Sequence, residues 1–186
     1  MQVMSEKVIS EWFHQYSDEM YSFFIYRIGQ ADVEDCVQEV FIRAYKSFHH
    51  FKGHSSPKTW LYSIARNIAI DEIRKRNRKK WKILVPFEAK HEPKTMKTPE
   101  EILNLNEENN ELYKAIQSLK QNYRDAIILR ALEGFSTKET SEILGWSEAK
   151  TSSTYHRAKL ELKNLLGGAY YEERSIGTKA SGNANS

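Results

Sequence analysis

At 186 residues the chain is long enough for two small helical domains, and an apolar share of 40% with a charged share of 28% describes a soluble globular protein. The net charge of +3 at pH 7 is too small to name a partner, so any case for one must come from where the charges lie. A single cysteine, Cys36, excludes an internal disulfide and a thiolate zinc cluster, and its expected role is that of a small buried apolar residue.

The first thirty residues contain Glu6, Glu11, Asp18 and Glu19. A secretory signal or membrane anchor is therefore not expected there, and a run such as Phe23 to Tyr26 is far too short to span a bilayer. A cytoplasmic protein is expected. Val8, Ile9, Trp12, Phe13, Tyr16, Met20, Phe23 and Phe24 predict one or two amphipathic helices. Val33, Val37, Val40, Phe41, Ala44 and Phe48 then recur at the three- and four-residue spacing of one helix face, with Asp35, Glu39 and Arg43 on another. A short loop from Lys52 to Lys58, with Gly53 and Pro57, separates this helix from the next, which is predicted from about Thr59 to Arg76.

From Ile83 to Glu111 the texture changes, with Pro86, Pro93 and Pro99 breaking helices and seven glutamates adding acid, so residues 83–111 read as a linker. Apolar periodicity returns at Leu112, Ile116, Leu119, Ala126, Ile127, Leu129 and Leu132 and breaks at Gly134. Ser136 and Glu139 have the spacing of a capping box, Gly145 can end the short helix that follows, and Ser147 can cap a longer one through Leu166. That order predicts a helix-turn-helix. Residues 168–186 read as a tail, expected to be disordered from about Ser175. The predicted fold class is all-α: an N-terminal domain over residues 1–82, the linker, and a C-terminal helix-turn-helix domain over 112–167.

The chemistry sits on two helices. Eight cations, Arg66, Arg74, Lys75, Arg76, Arg78, Lys79, Lys80 and Lys82, face only Asp71 and Glu72 within seventeen residues. Trp60, Tyr62 and Asn67 on the same helix add ring faces and an amide, a mixture that suits stacked, unpaired bases. For Trp60 the competing reading is core packing. On the last helix Thr151, Thr154, Tyr155, Ala158, Leu162 and Leu165 form the predicted inward stripe. Lys150, Ser152, Ser153, His156 and Arg157 are left outward, as on a recognition helix. Phosphate loops, zinc-protease and esterase signatures are missing, so neither enzyme activity nor a cofactor is expected. No metal is expected either, because neighbours such as His49 and His50 diverge by about 100° on a helix. Two rival readings are a stand-alone helix-turn-helix regulator and a nuclease built on Asp71 with Glu72.

Three ordered stretches carry a family resemblance: Asp32 to Tyr45 (DVEDCVQEVFIRAY), Thr59 to Asp71 (TWLYSIARNIAID), and Leu119 to Leu166. Over residues 8–166 the chain resembles the extracytoplasmic-function (ECF) group of bacterial RNA polymerase sigma factors. The resemblance implies that Asp35, Gln38, Glu39 and Arg43 dock on the polymerase core. It further implies that the loop through Ser55, Ser56 and Lys58, with Trp60, Arg66, Asn67 and Arg74, reads the melted minus-ten element. The outward residues of the last helix would read the minus-thirty-five duplex. The implied partners are core polymerase, promoter DNA and an anti-sigma factor. One departure concerns the middle of the recognition helix, where many members carry cations and this chain has Ser152, Ser153 and Thr154.

Overall fold

In the computed structural model, which describes residues 2–83 and 107–167, the first helix, α1 (Gln2–Ile28), is continuous rather than split. Its end is unusual. Phe23, Phe24, Ile25, Tyr26, Arg27 and Ile28 are all buried, and a helix buried all round must be covered from more than one side. One side meets α2 (Val33–Ser47) and α3 (Pro57–Ile83); the other meets the C-terminal helices. Val33, Cys36, Val37, Val40, Phe41 and Ala44 form the inward face of α2, as the spacing predicts. Cys36 is buried and free, and burial pushes its thiol up to about 11.

The boundaries near Phe48 and Thr59 shift. Phe48, His49 and His50 form a separate 3-10 turn after α2. Helix α3 starts two residues before the predicted position, because Ser56 accepts the Thr59 backbone N–H at 3.0 Å as its cap and Pro57 supplies a preset first turn. It runs on to Ile83.

After residues 84–106, which lie outside the described residues with most of the expected linker, α4 (Glu107–Ser118) begins inside the segment read as linker. α5 (Gln121–Ile127) continues into a π-turn over Ile128–Leu132, and α6 (Thr137–Leu144) and α7 (Glu148–Leu165) complete the C-terminal unit.

The predicted capping box is present: Ser136 Oγ accepts the Glu139 N–H at 3.2 Å, and the Glu139 carboxylate accepts the Ser136 N–H at 2.9 Å. Gly145, at φ 64°, closes α6 in the left-handed conformation, and Ser147 Oγ caps α7 by accepting the Lys150 N–H at 3.2 Å. Two residues expected in the core are not there. Phe13 is 39% exposed and Leu165 is 49% exposed. Phe13 faces outward beside α2, and Leu165 stands in the last turn of α7, beyond Leu162, the last of its fully buried residues. The tail from residue 168 lies outside the described residues.

Candidate nucleic-acid interface

Helix α7 presents the predicted strip. Lys150, Ser152, Ser153, His156 and Arg157 are exposed, opposite buried Thr151, Ala158 and Leu162. Thr154 and Tyr155 are only half-buried. Lys150 lies over the Trp146 ring at 4.5 Å, which fixes its ammonium at the start of the helix, and Lys159 lies over Tyr155 at 4.8 Å.

The residues predicted to read melted DNA do not share one surface. Asn67 is exposed and lines a cavity of about 390 Å³ with Arg43, Lys46, Ser47, His49, His50 and Ile64. Arg74 is exposed, 3.9 Å from Asp71. Ser55 and Ser56 stand in the loop, where Ser56 also has its capping duty. Trp60 is half-buried in an aromatic cluster, 6.1 Å from Trp12 and 5.0 Å from Phe51 between ring centroids, so packing claims much of its surface. Lys58 and Arg66 turn toward the C-terminal unit. Arg66 lies close enough to Arg27 and Asp125 to act on both electrostatically, and its Nε is buried without a hydrogen-bond partner.

His49 and His50 stand in a 3-10 turn with ring centroids 3.9 Å apart, so the helical divergence expected of them does not apply. Among the described residues, no three His, Cys, Asp or Glu side chains are grouped to hold a metal ion. Asp71 and Glu72 are separated by their partners. Asp71 pairs with Arg43 at 3.6 Å, while Glu72 pairs with Lys75 at 3.1 Å and Arg76 at 2.9 Å. Burial alone would raise the Glu72 carboxyl, but these hydrogen bonds hold it below its ordinary value.

On the N-terminal domain, Asp35 and Gln38 are exposed and Glu39 and Arg43 half-exposed, with Arg43 bonded to Glu39 at 2.7 Å. Sequence periodicity missed what lies beside them. Phe13 and Ile42, both exposed, line a groove between α1 and α2 with Ile9, Phe41, Tyr45 and Gln38. The available signal was an apolar residue at position 42, off the inward stripe of α2.

The seam between the two units holds a carboxylic acid with an altered charge. Burial pushes Glu133 up to about 7, against the opposing pull of the Tyr62 hydroxyl, which donates to it, and of Lys58; Glu19 raises it further. An exposed glutamate ionises near 4.5. The folded chain therefore holds the proton more tightly than the unfolded chain, and this contribution is complete below about 4.5 and is lost as pH rises toward 7. Glu133→Gln keeps the acceptor and removes the charge. It is expected to melt higher than the parent at pH 8, by up to about 3 kcal/mol, with the difference shrinking toward pH 5. Melts that track each other at every pH would rule out a buried Glu133.

The comparisons with known proteins agree with this architecture. Sigma-70 region 2 matches residues 12–79, and Sigma-70 region 4 matches residues 109–162. The ECF RNA polymerase sigma factor SigX of Bacillus subtilis (strain 168) is 36% identical over 164 residues, covering 87% of this chain and 84% of the relative. The ECF RNA polymerase sigma-E factor of Escherichia coli (strain K12) is 32% identical, covering 75% and 76%. Among solved structures, the sigma factor RpoE from Bartonella quintana, in complex with the anti-sigma factor NepR, superposes with a TM-score of 0.70 at 25% identity, over 88% of this chain and 99% of that one. Sigma factors are non-enzymatic DNA-recognition subunits of RNA polymerase, and by these matches the chain belongs to the ECF group, as an alternative sigma factor acting in transcription initiation.

Proposed function

We propose that three sets of residues divide the work of initiation. Lys150, Ser152, Ser153, His156 and Arg157 read the minus-thirty-five duplex. The observation that carries this reading is that all five are exposed on one capped helix whose opposite face is buried, leaving a polar strip shaped for the major groove. Ser55, Ser56, Lys58, Trp60, Arg66, Asn67 and Arg74 read the minus-ten strand, with Asn67 beside the cations Arg43, Lys46 and the two histidines. Asp35, Gln38, Glu39 and Arg43 dock on the polymerase core, and the groove of Phe13 and Ile42 widens that face with apolar area of the kind buried in protein interfaces.

The domains are 1–82 and 112–167, flanking a linker over 83–111, with α4 bringing the C-terminal boundary forward to Glu107. The protein acts in the cytosol beside the polymerase. No described helix is long and apolar enough to cross a membrane. An anti-sigma factor binds it, as the Bartonella quintana relative is found in complex with the anti-sigma factor NepR. A partner is required on energetic grounds as well. Opening about ten base pairs costs on the order of 14 kcal/mol, more than one basic helix and a few stacked bases supply.

Run-off transcription on genomic fragments tests the proposal, comparing core polymerase with and without the protein. New discrete start sites are expected only with both. Tight binding of duplex DNA by the protein alone, with no new starts, would overturn it.

A further inference from the structure

A cavity of about 310 Å³ lies where the end of α1, the later turns of α3 and the start of α5 meet. Its lining holds three guanidiniums, Arg27, Arg76 and Arg124, with the amides of Asn77 and Gln121, and no carboxylate among the described residues lines it. None of the five belongs to the sets assigned to DNA or polymerase. The guanidiniums are anchored without being fully neutralised. Arg124 donates from Nε to the Ile116 carbonyl at 3.2 Å, from Nη2 to the Gln117 and Leu119 carbonyls, and from Nη1 to the Arg27 carbonyl at 3.4 Å. A carbonyl orients an N–H but carries no net charge, and Arg124 has no ion pair among the described residues. Arg76 donates to the Ile28 carbonyl at 2.5 Å and to the Ala31 carbonyl, and pairs at 2.9 Å with Glu72, which does not line the cavity. Arg27 is the buried wall, 1% exposed and paired with Asp125. That one carboxylate is drawn on by Arg27, Arg66 and Arg124 together. Burial, with Arg124 and Arg66 acting against the pull of Asp125, holds the Arg27 guanidinium below its ordinary value, and burial lowers Arg124 in the same way.

Positive charge in excess, on rigid N–H forks around an open cavity, calls for an oxyanion. Phosphate oxygens accept two parallel bonds from a guanidinium, which is why such sites use arginine rather than lysine. Small-molecule sites span ~300–1,000 Å³, and this cavity is at the compact end. Three forks exceed what a carboxylate or a single phosphate needs. We propose that the cavity binds a small anion with two linked phosphate groups. Arg76 from α3 and Arg124 from α5 grip its oxygens, Arg27 supplies charge from the buried wall, and the exposed amides of Asn77 and Gln121 donate at the rim. An anion held there stabilises the fold, as any ligand of the folded state does.

Calorimetric titration of the full-length protein with inorganic pyrophosphate at fixed ionic strength, beside thermal melts, tests the site. One pyrophosphate per chain is expected to bind and to raise the melting temperature. Asn77→Asp with Gln121→Glu places two carboxylates at exposed rim positions. This variant is expected to melt as the parent does without pyrophosphate and to bind it about tenfold more weakly, through charge repulsion at the rim. Arg78→Gln removes an exposed cation next to Asn77 that does not line the cavity. It is expected to stay within about twofold of the parent, because exposed charges at a distance are screened. A parent that binds no pyrophosphate overturns the proposal. So does a rim variant that binds as the parent does, or an equal loss in both variants, which would make binding a property of the basic end of α3 as a whole. Inorganic phosphate binding as tightly as pyrophosphate would reject the two-phosphate ligand. A nucleoside diphosphate in the same titration separates the two sources of this chemistry: binding as tight as pyrophosphate assigns the end of a nucleotide, weaker binding assigns the free anion, and either upholds the site.

Discussion

Asp125→Ala lowers the stability of the closed chain by about 3–5 kcal/mol, the usual cost of leaving one member of a buried ion pair without its partner. The argument starts from Arg27, whose side chain is 1% exposed and whose guanidinium is pushed below its ordinary value by burial. The neighbouring guanidiniums of Arg124 and Arg66 act in the same direction, and only Asp125 opposes them. Without Asp125, three cations remain at the meeting of α1, α3 and α5 with no ion-pair partner among the described residues. Burial also raises the Asp125 carboxyl, so both partners are held against desolvation by each other. The paired replacement Arg27→Met with Asp125→Leu is expected to be near neutral, because apolar groups of similar volume need no counter-charge. Denaturant unfolding of the two variants decides the matter. A loss below about 1 kcal/mol for Asp125→Ala would mean that Arg27 reaches water in solution and that the seam is not closed as described.

That seam is also where the sequence said least. The elements that depend on local rules were legible: the capping box at Ser136, the left-handed Gly145, the cap at Ser147 and the inward face of α2 each follow from side-chain chemistry within a few residues. The outward strip of α7 followed from the same periodicity. Domain docking has no such local signature. Periodicity identifies a face that is buried, but an assignment of Lys58 and Arg66 to DNA cannot be told from an assignment to a second domain, since both demand polar residues on an outer face. The one trace lay in Phe23 to Ile28, apolar around the whole helix apart from Arg27, a pattern that calls for cover on two sides. The misplacement of Leu165 has a simpler cause: the stripe of α7 continues in sequence after the helix has passed the edge of the core.

The recognition helix is short of cations in its middle, and this sets the second large effect. Ser152 and Ser153 can offer a base edge only one hydroxyl each rather than a two-bond fork, and Thr154 is half-buried. On the proposed assignment, two-bond contact with a base then rests on Arg157, exposed one turn further on beside His156 and without an ion pair among the described residues. An arginine that meets guanine with two hydrogen bonds contributes about 1–3 kcal/mol of discrimination. Lys150 differs. It is held over Trp146 at the first turn, and its part in the proposed reading is that of a point charge for phosphate. In run-off transcription with core polymerase on a library of promoters varied in the minus-thirty-five element, Arg157→Ala is expected to reduce initiation roughly 5- to 150-fold at the best sites and to flatten the preference at one position. Lys150→Ala should weaken all sites alike and reduce the salt dependence by about one counterion. If Arg157→Ala instead lowers every promoter by the same factor and leaves the ranking intact, Arg157 is a second phosphate anchor, and sequence choice at this element resides in Ser152, Ser153 and His156.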